Sequence, residues 1–147
     1  NIFNGLLSRD VDRVIDRLVL TLPSQRLSAT PGRVSCVGQL SHAECLLEYE
    51  KADALVFPSV LESYGLPLVE AMVLGIPIIA ADLPYARLLC GDQGIYFDPA
   101  SPESLLEGCK LLQERLRDEW SPDWSARLGA MPTSWEVVVR GFIDELN

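Results

Sequence analysis

The sequence predicts an α/β fold, a parallel β-sheet with helices packed on both faces. Three observations predict it. About five short apolar runs alternate with helical stretches along the chain, the pattern of strands joined by right-handed crossovers. The stretch from Ala54 to Ala80 reads as a complete strand–loop–helix–strand unit. Two helix starts are spelled out by capping residues, at Ser41 and at Ser101. At 147 residues the chain fits a single domain, long enough to bury most of its apolar surface.

In chain order, Val11, Val14, Ile15 and Leu18 recur at helical spacing, so a helix is expected over residues 9–18. A strand over 19–22 follows and stops at Pro23; residues 24–32 are polar, end in Pro31-Gly32, and form a loop. A short strand covers 33–37. Gly38-Gln39-Leu40 then leads to Ser41, which with Glu44 makes a capping box for a helix over 42–51. Ala54-Leu55-Val56-Phe57 is the next strand, and Pro58 and Ser59 stop it. After a loop ending in Glu62-Ser63-Tyr64-Gly65, a helix carries Pro67 in its first turn and ends at Gly75. Strand 76–80 completes the unit.

Leu83-Pro84 turns into a short helix over 85–90. Gly91 and Gly94 bracket a turn before strand 95–97, which Asp98-Pro99 ends. Ser101-Pro102-Glu103 combines a cap, a first-turn proline and an acidic first turn. The helix it starts runs to about Arg117, with Leu105, Leu106, Leu112 and Leu116 as its apolar face. Residues 118–132, with Trp120 and Trp124, read as irregular or partly helical. A final amphipathic helix is expected over 135–146, anchored by Trp135.

The net charge of −9 argues against nucleic acid or anionic membrane as a partner, since both demand clustered Lys and Arg. No apolar run is long enough to cross a bilayer, and there is no signal-peptide pattern. Cys36, Cys45, Cys90 and Cys109 lack metal-site spacing and lie among apolar residues, as buried free thiols of a reducing cytoplasm do. Asp92 and Asp98 read as turn residues, and His42, the single histidine, as a surface helix residue.

The loop after strand 54–57 has the chemistry of an anion site at the carboxyl end of a parallel strand, where α/β folds bind ligands. Gly65 lets a ligand approach the backbone closely. Amides of Tyr64, Gly65, Leu66 and Leu68 at a helix start lack intrahelical partners and favour phosphate. Glu62 and Glu70 flank these amides. Ionised carboxylates repel phosphate and accept from hydroxyls, so the set suits a sugar joined to a diphosphate.

The run Glu62-Ser63-Tyr64-Gly65-Leu66-Pro67-Leu68-Val69-Glu70-Ala71-Met72 resembles the E-x7-E signature of glycosyltransferase family 4, retaining enzymes of GT-B fold. The resemblance extends to residues 75–80, upstream to 52–59, and downstream to 91–99 and 134–136, covering roughly 33–147. It implies that residues 1–147 are one donor-binding domain, the carboxyl-terminal half of a two-domain enzyme, truncated at its amino-terminal end. Glu62 would be catalytic, near the transferred sugar. Ser63, Tyr64, Gly65 and Leu66 would hold the diphosphate through backbone amides, and Glu70 the ribose hydroxyls. Gly38 and Gln39, with Leu40 and Ser41, would lie near the nucleobase.

The donor would be a nucleoside-diphosphate sugar, the product a hexoside formed with retention, and the acceptor a saccharide or lipid-linked hydroxyl held by the other half. No metal or other cofactor is implied, there being no DxD pair or histidine cluster. The family's basic Arg and Lys pair has no counterpart before residue 33, since Arg9 and Arg13 lie on the expected helix. The first βα unit is thus expected outside these residues. The 147 residues alone are then expected to be inactive, to bind nucleotide weakly, and to self-associate through an open sheet edge. An epimerase-like GT-B enzyme and a non-catalytic nucleotide-binding or assembly module stay open. A dinucleotide-binding oxidoreductase lacks its GxGxxG here.

Overall fold

The computed structural model describes residues 2–8, 14–23 and 32–132. Its elements, in order, are helix α1 (Ile2–Leu7), strands β1 (Leu18–Leu20) and β2 (Val34–Cys36), helix α2 (His42–Tyr49), strand β3 (Leu55–Phe57) and helix α3 (Leu66–Val73). Strand β4 (Ile78–Ala81), helix α4 (Pro84–Cys90), a 3-10 turn (Gly91–Gln93), strand β5 (Ile95–Phe97) and helices α5 (Pro102–Arg117) and α6 (Ser125–Gly129) complete it.

All strand pairs are parallel. β1 pairs with β2 in the register Leu18↔Val34. β4 lies between β3 and β5, with Leu55↔Ile78 and Ile79↔Ile95. The expected single sheet is therefore two parallel sheets, β1-β2 and β3-β4-β5. Among the described residues β1 and β3 each pair with a single strand, and both help line a cavity of about 1060 Å³, with Val19, Thr21, Ala54 and Val56 in its wall.

Every residue of β4 is buried, as a strand covered on both faces must be. Its alternation sorts the core into two layers. Ile79 and Ala81 join Phe3 and Leu6 of α1, Phe97, and Leu105 and Leu112 of α5. Ile78 and Ala80 join Leu68, Ala71 and Met72 of α3 and Ala86 of α4. Buried thiols belong to both layers: Cys109 to the first, Cys90 to the second. All four cysteines are free. Trp124, 3% exposed, closes the second layer, and its indole N–H donates to the Ile76 carbonyl at 3.2 Å.

β5 and α5 keep the bounds that the sequence predicts, and the Ser41–Glu44 capping box is present. The first helix departs from expectation. Residues 9–13 lie outside the described residues, Val14 to Arg17 are not helical, and Leu18 opens β1. Leu18 and Leu20 are buried with Val19 half-buried between them, so a period of two prevails there over the helical spacing. Phe3 and Leu6 instead carry α1, three residues apart on one face. The expected loop at 24–31 and the last helix at 135–146 lie outside the described residues. No helix among the described residues is long and apolar enough to cross a membrane.

Candidate functional site

The site is built where β3 leaves the sheet. Pro58 offers no N–H to continue the ladder, and the chain turns outward. The Tyr85 hydroxyl of α4 donates to the Ser59 carbonyl at 2.6 Å, and its ring meets Phe57 edge-on at 6.5 Å. This pins the base of the loop that carries Glu62. Burial first, and the negative charge of Glu62 second, push the Tyr85 phenol above its ordinary pKa, which places Glu62 beside Tyr85. Glu62 is half-buried, and its Oε1 accepts from the Ser63 N–H at 3.0 Å.

Gly65 caps α3 with φ 78° and ψ 39°, the left-handed region that side chains disfavour. A Cβ there would lie 2.8 Å from Leu89 Cδ1. α3 begins at Leu66, with Pro67 in its first turn, where a missing N–H costs no helix bond. The Leu68 and Val69 amides both donate to the Gly65 carbonyl, at 2.9 and 3.3 Å. Leu68 is thus removed from the expected amide cluster, and the Ser63 amide is occupied by Glu62. Among the described residues the amides of Tyr64, Gly65 and Leu66 have no partner. They stand at the positive end of the α3 dipole.

Glu70 lies on the second turn of α3. The His42 ring nitrogen Nε2 is 3.0 Å from Glu70 Oε1, and His42 is the first residue of α2. Just before it lies the turn of Gly38 and Gln39, closed by Ser41, whose N–H donates to Glu44 Oε2 at 2.8 Å. The two bonds from Ser41 hold the Glu44 carboxyl below the usual range. The His42–Glu70 contact thus ties the Gly38–Gln39 turn to the second glutamate. Farther along α2, Tyr49 is pushed up strongly, by burial first and then by the negative charge of Glu70.

His42 is an exposed residue of α2, as the sequence predicts, and its pairing with Glu70 is what sequence reasoning missed. The histidine is 28 positions from Glu70, and no local pattern announces a pairing made by two packed helices. Among the described residues no Lys or Arg pairs with Glu62 or Glu70. Lys51 pairs with Glu48 at 2.9 Å, and Arg87 donates to Asp82 at 2.7 Å. Along the chain, then, two carboxylates flank three amides that have no partner among the described residues. Carboxylates accept from hydroxyls, and such amides donate to anions.

Residues 28–122, which include every site residue named above, match the family model described as Glycosyl transferases group 1. The chain belongs to the group 1 glycosyltransferases. This group 1 chain is 29% identical over 107 residues to O-antigen chain mannosyltransferase B of Escherichia coli, covering 71% of the chain and 28% of that protein. It is 32% identical over 115 residues to the glycogen synthase of Deinococcus deserti, covering 76% and 25%. Among solved structures it resembles the sucrose-phosphate synthase of Thermosynechococcus elongatus, with a TM-score of 0.52 and 27% identity over 78% of the chain and 30% of that protein. The architecture is that of the carboxyl-terminal half of a GT-B enzyme. The chain spans about a quarter of the length of the curated relatives it matches.

Proposed function

We propose that these residues form the donor-binding domain of a retaining hexosyltransferase, one domain of a larger two-domain enzyme. It takes a nucleoside-diphosphate hexose and moves the sugar to an acceptor hydroxyl with its anomeric configuration kept. The observation that carries this reading is the set of three unpartnered amides at Tyr64, Gly65 and Leu66, flanked by Glu62 and Glu70, in a chain of this family. In this reading the amides and the α3 dipole take up the diphosphate as negative charge grows on the leaving oxygen. Glu62 faces the hydroxyls of the transferred sugar and stabilises the positive charge that develops as its bond to phosphate breaks. Glu70 accepts from the ribose hydroxyls and His42 fixes its orientation. Gly38 and Gln39 border the base. No cofactor takes part.

Phosphate neutralisation requires cations that these site residues do not supply, so the 147 residues alone turn over no donor and bind nucleotide weakly. The test is steady-state kinetics of the whole enzyme with UDP-, GDP- and ADP-hexoses. Glu62→Gln lowers kcat by about a hundredfold or more, with donor KM little changed. Glu70→Ala raises donor KM about tenfold, as loss of a hydrogen bond to a charged group does. Unchanged kinetics for both variants refute the site, and transfer above background by the isolated chain refutes its dependence on the rest of the enzyme.

A further inference from the structure

We propose that Tyr85 of α4 is a positioning residue for Glu62, and that Tyr85 and Leu89 hold opposite ends of the loop over residues 59–65, each end governing a different kinetic parameter. The inference rests on the donor reading given above. It assigns a role to two residues outside the set of carboxylates and amides.

Burial does little to shape this loop. Val60 is 66% exposed and Leu61 91% exposed, so neither side chain gains enough from packing to fix the backbone. Hydrogen bonds fix it instead. The Tyr85 hydroxyl donates to the Ser59 carbonyl at 2.6 Å, and the Ser59 hydroxyl donates to the Leu61 carbonyl at 3.1 Å. Leu61 precedes Glu62, whose Oε1 accepts from the Ser63 N–H at 3.0 Å. Hydrogen bonds thus follow one another from α4 through the loop to the carboxylate. Burial first, and the charge of Glu62 second, push the Tyr85 phenol above its ordinary pKa, so it keeps the proton that it donates.

The far end is held by packing. Gly65 is buried, and a Cβ on it would lie 2.8 Å from Leu89 Cδ1 and 3.4 Å from Leu68 Cδ1. Leu89 therefore covers the left-handed residue at the centre of the Tyr64, Gly65 and Leu66 amides. Tyr85 and Leu89 stand one helical turn apart, on one face of α4. That helix is itself braced. Arg87 donates to Asp82 at 2.7 Å, and its guanidinium lies 4.4 Å from the centre of the Tyr96 ring on β5. The Tyr96 hydroxyl donates at 2.6 Å to the Gly91 carbonyl, just past α4. Ala86 and Cys90 are fully buried beneath it.

A braced helix can hold the loop in one shape before the donor arrives. Such preorganisation matters, because a displacement of about 1 Å can cost about a hundredfold in rate. The two ends have separate consequences. Glu62 acts as the bond to phosphate breaks, so loosening the Ser59 end lowers kcat. The diphosphate is charged before that bond breaks as well as after, so loosening the Gly65 end mainly raises donor KM.

The test is steady-state kinetics of the whole enzyme with whichever of the UDP-, GDP- and ADP-hexoses turns over fastest, corrected for the folded fraction from each variant's urea midpoint. Tyr85→Phe keeps the ring against Phe57 and removes only the hydroxyl. It lowers kcat about tenfold and leaves donor KM within about twofold. In a Glu62→Ala background the same substitution costs less than about twofold, because no carboxylate is left to position. Leu89→Val withdraws a methyl from Gly65 and raises donor KM about threefold, with kcat within about twofold. A wild-type kcat in Tyr85→Phe overturns the proposal. So does a kcat loss equally large without Glu62, the mark of a general structural role. The same kcat and KM pattern in Tyr85→Phe and Leu89→Val overturns the division between the two ends. Each of these failures leaves the donor reading standing, whereas an unchanged kcat in Glu62→Ala alone removes that reading and the proposal with it.

Discussion

Gly65→Ala tests the helix tip on which the donor reading depends. Gly65 sits at φ 78°, and an added Cβ would lie 2.8 Å from Leu89 Cδ1. The left-handed conformation costs a side-chain-bearing residue about 1–2 kcal/mol. Moving the Leu89 side chain out of its rotamer adds about 0.5–1.5 kcal/mol. Against this, alanine lowers the entropy of the unfolded chain, an offset of about 0.4–1 kcal/mol. The net loss is about 2 kcal/mol. Gly75 is the control: its φ is 71°, yet nothing lies within 4 Å of its Cβ position. Gly75→Ala should therefore cost only the backbone difference, about 1 kcal/mol. Urea denaturation followed by tryptophan fluorescence measures both, with the slope checked for constancy. Equal midpoints for the two variants would show that Gly65 is not packed against α4, and a Gly65→Ala midpoint at the wild-type value would refute the left-handed cap itself. In the whole enzyme the same substitution should raise donor KM, because turning Gly65 re-aims the free amides.

The remaining predictions concern the core, the thiols and the second glutamate. Trp124→Phe leaves the Ile76 carbonyl without its 3.2 Å donor and should cost about 2 kcal/mol by urea denaturation; a loss below a few tenths would mean water replaces the indole. Burial pushes the Cys90 thiol up to about 12 and the Cys109 thiol up to about 11. Both are raised above the unfolded value of about 8.5, so their stabilising effect is complete below that pH and fades as pH rises towards the folded values. The urea midpoint should fall between pH 8 and 10, and fall less in Cys109→Ala; a flat profile contradicts the burial. His42→Ala should raise donor KM about two- to tenfold with kcat unchanged, the effect of loosening one hydrogen bond on Glu70, and an unchanged KM would remove His42 from the site.

Local chemistry explains what was legible in the sequence. The β5 and α5 bounds follow from turn glycines, from Ser101 and Pro102, and from an apolar face at helical spacing, all signals carried within a few residues. Gly65, Pro67 and the two glutamates mark the helix tip in the same way. Near the amino terminus local spacing misled, since Leu18 fits a helical repeat and a buried strand equally well, and pairing with Val34 decided between them.

The sequence by itself determined the order and type of most elements, the cap at Ser41 and the carboxylate–amide–carboxylate pattern, because each is fixed by steric and hydrogen-bonding preferences of neighbouring residues. Only the tertiary structure decided that the described strands form two sheets with a cavity lined by both. It also decided that Ser63 and Leu68 have no free amide, and that His42 reaches Glu70. Those outcomes depend on groups far apart in the chain competing for the same partners, and packing alone settles such competition.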